Sequence, residues 1–126
     1  MAERGGLEGA EAHVTAFDDV RRIALSLPET EEVIAWETEV TFRVRNKIFV
    51  MEQDAQAHAS FKANPMTQAD LVERDPATFQ LAAYVGRFGW VDVDLARIDV
   101  AELESLIRQA WRLTAPKRLA GTLPEG

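Results

Sequence analysis

The feature that most constrains this chain is its closing stretch, where an alternating strand runs almost directly into a fully signalled amphipathic helix. Within residues 90–95, Val91, Val93 and Leu95 share one face, while Trp90, Asp92 and Asp94 share the other. That period of two is the mark of a strand with one buried side. Shortly after it, Asp99 offers an N-cap, Glu102 completes a capping box, and Ile98 with Leu103 supplies a hydrophobic staple. Leu103, Leu106, Ile107, Ala110 and Trp111 then recur at spacings of three and four and trace one apolar stripe. Pro116 ends the helix, and Lys117 and Arg118 lie beside its negative C-terminal end. A one-faced strand and a one-faced helix joined so closely can hide their apolar sides only in a shared core.

The same reasoning orders the rest of the chain. Thr15 and Asp18 predict a capping box that opens a first helix with Phe17, Val20, Ile23, Ala24 and Leu27 as its stripe. Pro28 stops that helix, because the residue before a proline is pushed out of the α region. Val40, Phe42 and Val44 alternate with Thr41, Arg43 and Arg45, and residues 47–52 form a second, more continuously apolar strand. A two-residue turn at Arg45-Asn46 would set Phe42 opposite Phe49 and Val44 opposite Lys47; Asn46 suits the positive φ of such a turn and Arg45 does not.

Residues 58–63 predict a further strand with Ala59 and Phe61 inward and His58, Ser60 and Lys62 outward, and the pattern also allows a short strand over 33–36. Asn64 caps and Pro65 opens a second helix, with Met66, Ala69 and Val72 inward, which must end by Asp75-Pro76. Residues 76–88 read as irregular, and Gly86 and Gly89 bracket Arg87 and Phe88. The order is helix, three or four strands, helix, one or two strands, helix. It predicts an α+β two-layer sandwich, an antiparallel sheet with helices packed on one face.

A chain of 126 residues accommodates one domain and one core. We expect a disordered tail over 1–12, a single domain over 13–120 and a C-terminal tail over 121–126, with a monomer favoured. The absence of cysteine excludes disulfides, thiolate metal sites and a cysteine nucleophile. No apolar run approaches the roughly 20 residues that span a bilayer, and the first residues lack the apolar stretch of a signal peptide. A cytoplasmic location without membrane contact is therefore expected.

The net charge of −7 is unevenly spread. Residues 1–40 hold ten acidic side chains against Arg4, Arg21 and Arg22, whereas the remainder balances eleven acidic with eleven basic. The acidic surplus lies at the front of the molecule, the opposite of the sign that favours phosphate neutralisation.

Five segments in order, LPETEE (27–32), TFRVRNKIFVM (41–51), SFKANP (60–65), YVGRFGW (84–90) and AWRLTAPKRL (110–119), resemble the MmcQ/YjbR family of small bacterial proteins. The resemblance implies a two-layer α+β sandwich similar to that of secretion chaperones. It also implies a DNA-binding role, since the paired hairpins look like a double-wing motif. Where many relatives have a glycine-rich turn, this chain carries Arg45-Asn46.

The residues themselves offer little chemistry. His13 and His58 are the only histidines, at no zinc spacing, and read as structural. The glutamates at 29, 31, 32, 37 and 39 read as a solvated acidic turn rather than a cation site. Ser26, Ser60 and Ser105 lie outside any nucleophile elbow, and no glycine-rich loop suits a phosphate. We expect no catalytic residue, no metal and no cofactor, hence no enzyme.

The best functional candidates are basic. Arg43 and Lys62 would point outward from neighbouring strands, Arg45 and Lys47 would sit at the hairpin tip, and Arg87 would form a second tip beside Phe88. Alternatively Arg43 and Lys62 pair with Asp92 and Asp94 across the open sheet face, and Trp36, Trp90 and Trp111 serve packing. Two functions follow: a DNA-binding module using the tips, carried by the family resemblance, or a protein- or small-ligand-binding domain, favoured by the acidic charge. Since residues 1–12 show no apolar periodicity, deleting them is expected to leave the melting temperature unchanged. A marked loss of stability on calorimetry would contradict the assignment of a tail.

Overall fold

Strands that are apolar on one side only make a sheet that must be sealed from that side, and three helices of this chain do so. The computed structural model describes residues 13–82 and 86–123. Helix α1 (Phe17–Leu25) leads into strands β1 (Thr30–Ala35), β2 (Glu39–Val44), β3 (Lys47–Gln53) and β4 (His58–Phe61). Helix α2 (Pro65–Arg74), strands β5 (Phe79–Leu81) and β6 (Val91–Asp94), helix α3 (Val100–Thr114) and the single turn α4 (Lys117–Ala120) complete the fold. The six strands form one antiparallel sheet in the order β1-β2-β3-β4-β6-β5. Helices α1 and α3 pack on each other and on the central strands, and α2 packs beside β5. The two-layer α+β sandwich read from the sequence is the fold observed.

The core joins Phe42, Val44, Val50, Phe61, Val91 and Val93 of the sheet to Phe17, Val20, Ile23, Leu103, Ile107 and Trp111 of the helices. Trp111 is fully buried, and its indole Nε1 donates to the Pro28 carbonyl at 3.1 Å. The closing helix is thus tied to the turn that follows α1, 83 residues earlier in the chain. Asp99 caps α3 as expected, with its Oδ2 accepting from the Ala101 N–H. Glu102 takes the Arg74 guanidinium, so its carboxylate joins α3 to α2.

Several local expectations are corrected. Helix α1 starts one residue later than the sequence suggests: Asp19, not Asp18, accepts the Ala16 N–H at 2.9 Å. The Thr15 hydroxyl instead donates to the Ile98 carbonyl at 2.7 Å, stitching the two helix starts together. In the β2–β3 hairpin, Val44 does face Lys47, but a bulge after Phe42 sets Phe42 opposite Val50 rather than Phe49. Such a bulge carries two residues of one strand past one of the other, which lets both Phe49 and Val50 be buried. Arg45 and Asn46 both adopt positive φ, as a tight hairpin turn of this length requires.

On α2 the buried residue is Leu71, with Val72 packed against the core, while Met66 is 76% exposed and Ala69 is also exposed. Trp36 lies in the β1–β2 turn and is 66% exposed, so it does not serve packing. The segment read as irregular contains β5, whose three residues bury only Phe79 and so carry no visible alternation. Residues 1–12 and 124–126 lie outside the described residues, and Leu123 packs against the core.

Removing the indole of Trp111 should leave a large central void. Trp111→Ala is expected to cost about 3–5 kcal/mol of stability, measured by chemical denaturation. A cost below about 1 kcal/mol, the scale of a surface substitution, would contradict the central position of this side chain.

Candidate functional site

Among the described side chains, the structure does not bring the predicted basic residues together. Arg43, on β2, is partly buried: its Nε donates to the Thr41 Oγ1 at 3.1 Å and its Nη1 approaches the Asn46 Oδ1 at 3.5 Å. It covers Thr41, whose hydroxyl in turn donates to the Val33 carbonyl at 2.7 Å. Arg45, at the turn, closes on Glu29 through Nε–Oε1 and through Nη2–Oε2 at 3.1 Å. The guanidinium holds the Glu29 carboxyl below its usual range, and the carboxylate raises the Arg45 pKa. Lys47 is exposed beside the same turn. Lys62 follows β4, which β3 separates from β2, so it is not on a strand neighbouring that of Arg43. The Arg87 backbone forms part of a 3-10 turn (Gly86–Phe88), and its side chain lies outside the described residues.

The acidic residues of β6 find a different partner from the one expected. On the face away from the helices, Thr41, Met51, Ser60, Asp92 and Gln80 form one line across five strands. In the adjoining line, His58 faces Asp94. The His58 Nδ1 lies 2.6 Å from Asp92 Oδ2, and its Nε2 lies 4.0 Å from Asp94 Oδ2. Thus His58, not Arg43 or Lys62, takes these carboxylates. Desolvation pushes the His58 pKa down, but the bond to Asp92 and the charges of Asp92, Asp94 and Asp54 outweigh it and raise the pKa.

The alternation of residues 58–63 and of 90–95 placed these side chains outward correctly, but the pairing needs the β4–β6 adjacency, which sequence order does not reveal. Ser60 sits within this strip with its hydroxyl buried and unpartnered. With no hydrogen-bond partner, that hydroxyl has no base beside it in this arrangement. Among the described residues, no group of three or more His, Asp or Glu could hold a metal ion.

The feature that sequence reading missed is a cavity of about 250 Å³ between the end of β4, the start of α2 and the outer side of α3. Phe61, Ala63, Leu106 and Leu113 provide its apolar lining, and Lys62, Asn64, Thr67, Gln109 and Arg112 its polar lining. The Asn64 Oδ1 caps α2 by accepting the Thr67 N–H at 2.8 Å. One wall is fixed from behind by Gly89, at φ +95°, where a Cβ would stand 2.6 Å from the Ala63 carbonyl oxygen. Only glycine combines that conformation with that approach. Gln68 clamps the same loop, its Nε2 donating to the carbonyls of Gly86 at 2.6 Å and Trp90 at 2.8 Å. A signal for this site did exist in SFKANP, where a lysine and a helix cap follow an inward phenylalanine. Nothing in the sequence places α3 across from it.

A six-stranded antiparallel sheet sealed by helices on one face, with a pocket at their seam, defines a small two-layer α+β domain. The YjbR family model matches residues 25–113, and the chain belongs to this family. Among solved structures, the crystal structure of Deinococcus radiodurans protein DR2400, with a DUF419 domain, is similar at a TM-score of 0.72. The two share 19% identity over 79% of this chain and 78% of that one, a likeness of fold. No curated protein matches the chain. Among the described residues, no helix is long and apolar enough to cross a membrane.

The His58–Asp92 contact predicts a pH dependence. A raised folded-state pKa contributes stability that is fully present below the ordinary imidazole value of 6.5 and is lost as pH rises through the raised one. Titration of His58 by NMR is expected to give a midpoint above the ordinary value, lowered by Asp92→Asn. A wild-type midpoint at or below the ordinary value would contradict the contact.

Proposed function

We propose that this YjbR-family domain is a non-enzymatic binding module whose ligand is a small molecule held at the seam of β4, α2 and α3. The observation that carries this reading is the cavity itself, an apolar recess with a few convergent polar groups, which is the usual form of a small-molecule site. Its walls come from a strand end and two helices, elements rigid enough to hold a ligand in register. The non-enzymatic part is supported by the Ser60 hydroxyl, which is buried without a hydrogen-bond partner and so lacks an activating base. The lack of cysteine and the family resemblance support a bacterial cytoplasmic setting.

The second reading, DNA binding, is favoured by the family resemblance and by Arg43 and Lys47 on one hairpin. Against it, Arg45 is ion-paired with Glu29, while Arg43 bonds only the neutral Thr41 and Asn46 and keeps its charge. Cations already paired within the protein release fewer counterions on meeting a duplex, and the acidic front repels it.

Amide NMR separates the two. A mixture of small acids, amines and alcohols is expected to shift the signals of Ala63, Asn64, Thr67, Gln109 and Leu113. A mixed-sequence duplex at low salt is expected to bind no tighter than roughly micromolar, the non-specific range. Silent cavity residues, together with duplex-induced shifts over 43–47 that an Arg43/Arg45/Lys47 triple-alanine variant abolishes, would favour DNA instead.

A further inference from the structure

Building on that reading of the cavity, we infer that its ligand is a small amphipathic anion: a carboxylate or phosphate joined to an apolar body. The first argument is charge. The chain carries 21 acidic and 14 basic residues, yet among the described residues the charged side chains lining the cavity are Lys62 and Arg112, with no Asp or Glu between them. The sign of the protein is inverted locally at this recess. Both cations are partly buried, so their attraction for an anion is screened less than that of a fully exposed side chain. A recess lined by one sign of charge also concentrates the opposite sign from solution.

The second argument is the donor set. With Asn64 Oδ1 committed to the Thr67 N–H, the Asn64 amide nitrogen is left to donate, and the Thr67 hydroxyl lies in the same wall. The start of α2, a helix of ten residues, adds partial positive charge on that side. The third argument is the apolar floor of Phe61, Leu106 and Leu113, which a bare inorganic anion would leave in contact with water. A ligand that satisfies both walls has a charged head toward Lys62, Arg112 and Asn64 and a hydrocarbon or aromatic body over Phe61. The volume of about 250 Å³ restricts it to metabolite size, below the roughly 300–1,000 Å³ of sites for larger ligands.

The test uses the full chain and a pair of fluorescent probes that differ in charge. Anilinonaphthalene sulfonate carries an aromatic body and an anionic head, and N-phenylnaphthylamine has the same body without the head. The sulfonate is expected to bind saturably, one per chain, and more tightly than the neutral amine. Lys62→Gln should weaken the sulfonate by about tenfold, the loss of one charge-assisted hydrogen bond, and leave the amine unchanged.

Leu113 is 48% exposed, so a charge there is tolerated by the fold. Leu113→Glu should abolish sulfonate binding while Leu113→Lys retains it, a contrast that unfolding cannot mimic. Displacement by phenylpropionate against phenyl phosphate identifies the head group, and failure of both to displace would overturn the inference. Equal binding of the sulfonate and the amine in every variant would also overturn it while leaving the cavity a binding site. Failure of both probes to bind saturably would overturn the binding reading itself.

Discussion

Helix α3 is what the rest of the structure depends on. Its inner stripe carries Leu103, Leu106, Ile107, Ala110 and Trp111 onto the apolar face of the sheet, beside α1. The Trp111 indole ends this stripe and donates to the Pro28 carbonyl, a group that the proline-induced stop of α1 leaves in need of a donor. The same helix face therefore closes the core and fixes where α1 gives way to β1. The adjacent stripe of α3, Gln109, Arg112 and Leu113, is the outer wall of the cavity. The site is thus positioned by the element that contributes most to burial, and its geometry is inherited from the core rather than from a mobile loop.

The sheet face away from the helices obeys a different constraint. Nothing apolar seals it, and polar side chains satisfy one another along its lines: Arg43 over Thr41, and His58 against Asp92 and Asp94. These contacts tie Arg43 to its own strand and turn, and β4 to β6. The Arg45–Glu29 pair has the same consequence at the tip, where it joins two residues that both have positive φ. At this hairpin the Arg45 charge is paired with Glu29 and Lys47 stays exposed.

Much of this was legible in the sequence because one-faced patterns leave a clear trace. Val91, Val93 and Leu95 with the α3 stripe gave the last strand and helix, and Asn64-Pro65 gave the start of α2, as observed. What escaped reading had weak or misleading local signals. The bulge at Phe42 shifted the facing residue by one, because two successive buried residues, Phe49 and Val50, look like a continuous run rather than an alternation. Strand β5 was too short to show a period. On α2, Met66 and Ala69 were misplaced because a helix at the margin of a core buries a narrow stripe, here Leu71 with Val72. The cavity and the His58–Asp92 contact depend on which distant elements become neighbours, and a single sequence holds no local record of that.

On the reading proposed above, the chemistry open to a partner lies at the helix seam, while Arg43 and Arg45 fasten the hairpin. Native mass spectrometry of the full chain, purified gently from its own cells, tests that view most directly. The account predicts a population carrying one small organic molecule per chain, lost when Leu113 is replaced by Glu. A chain that flies bare, or one that retains nucleic acid in place of a small molecule, would contradict it.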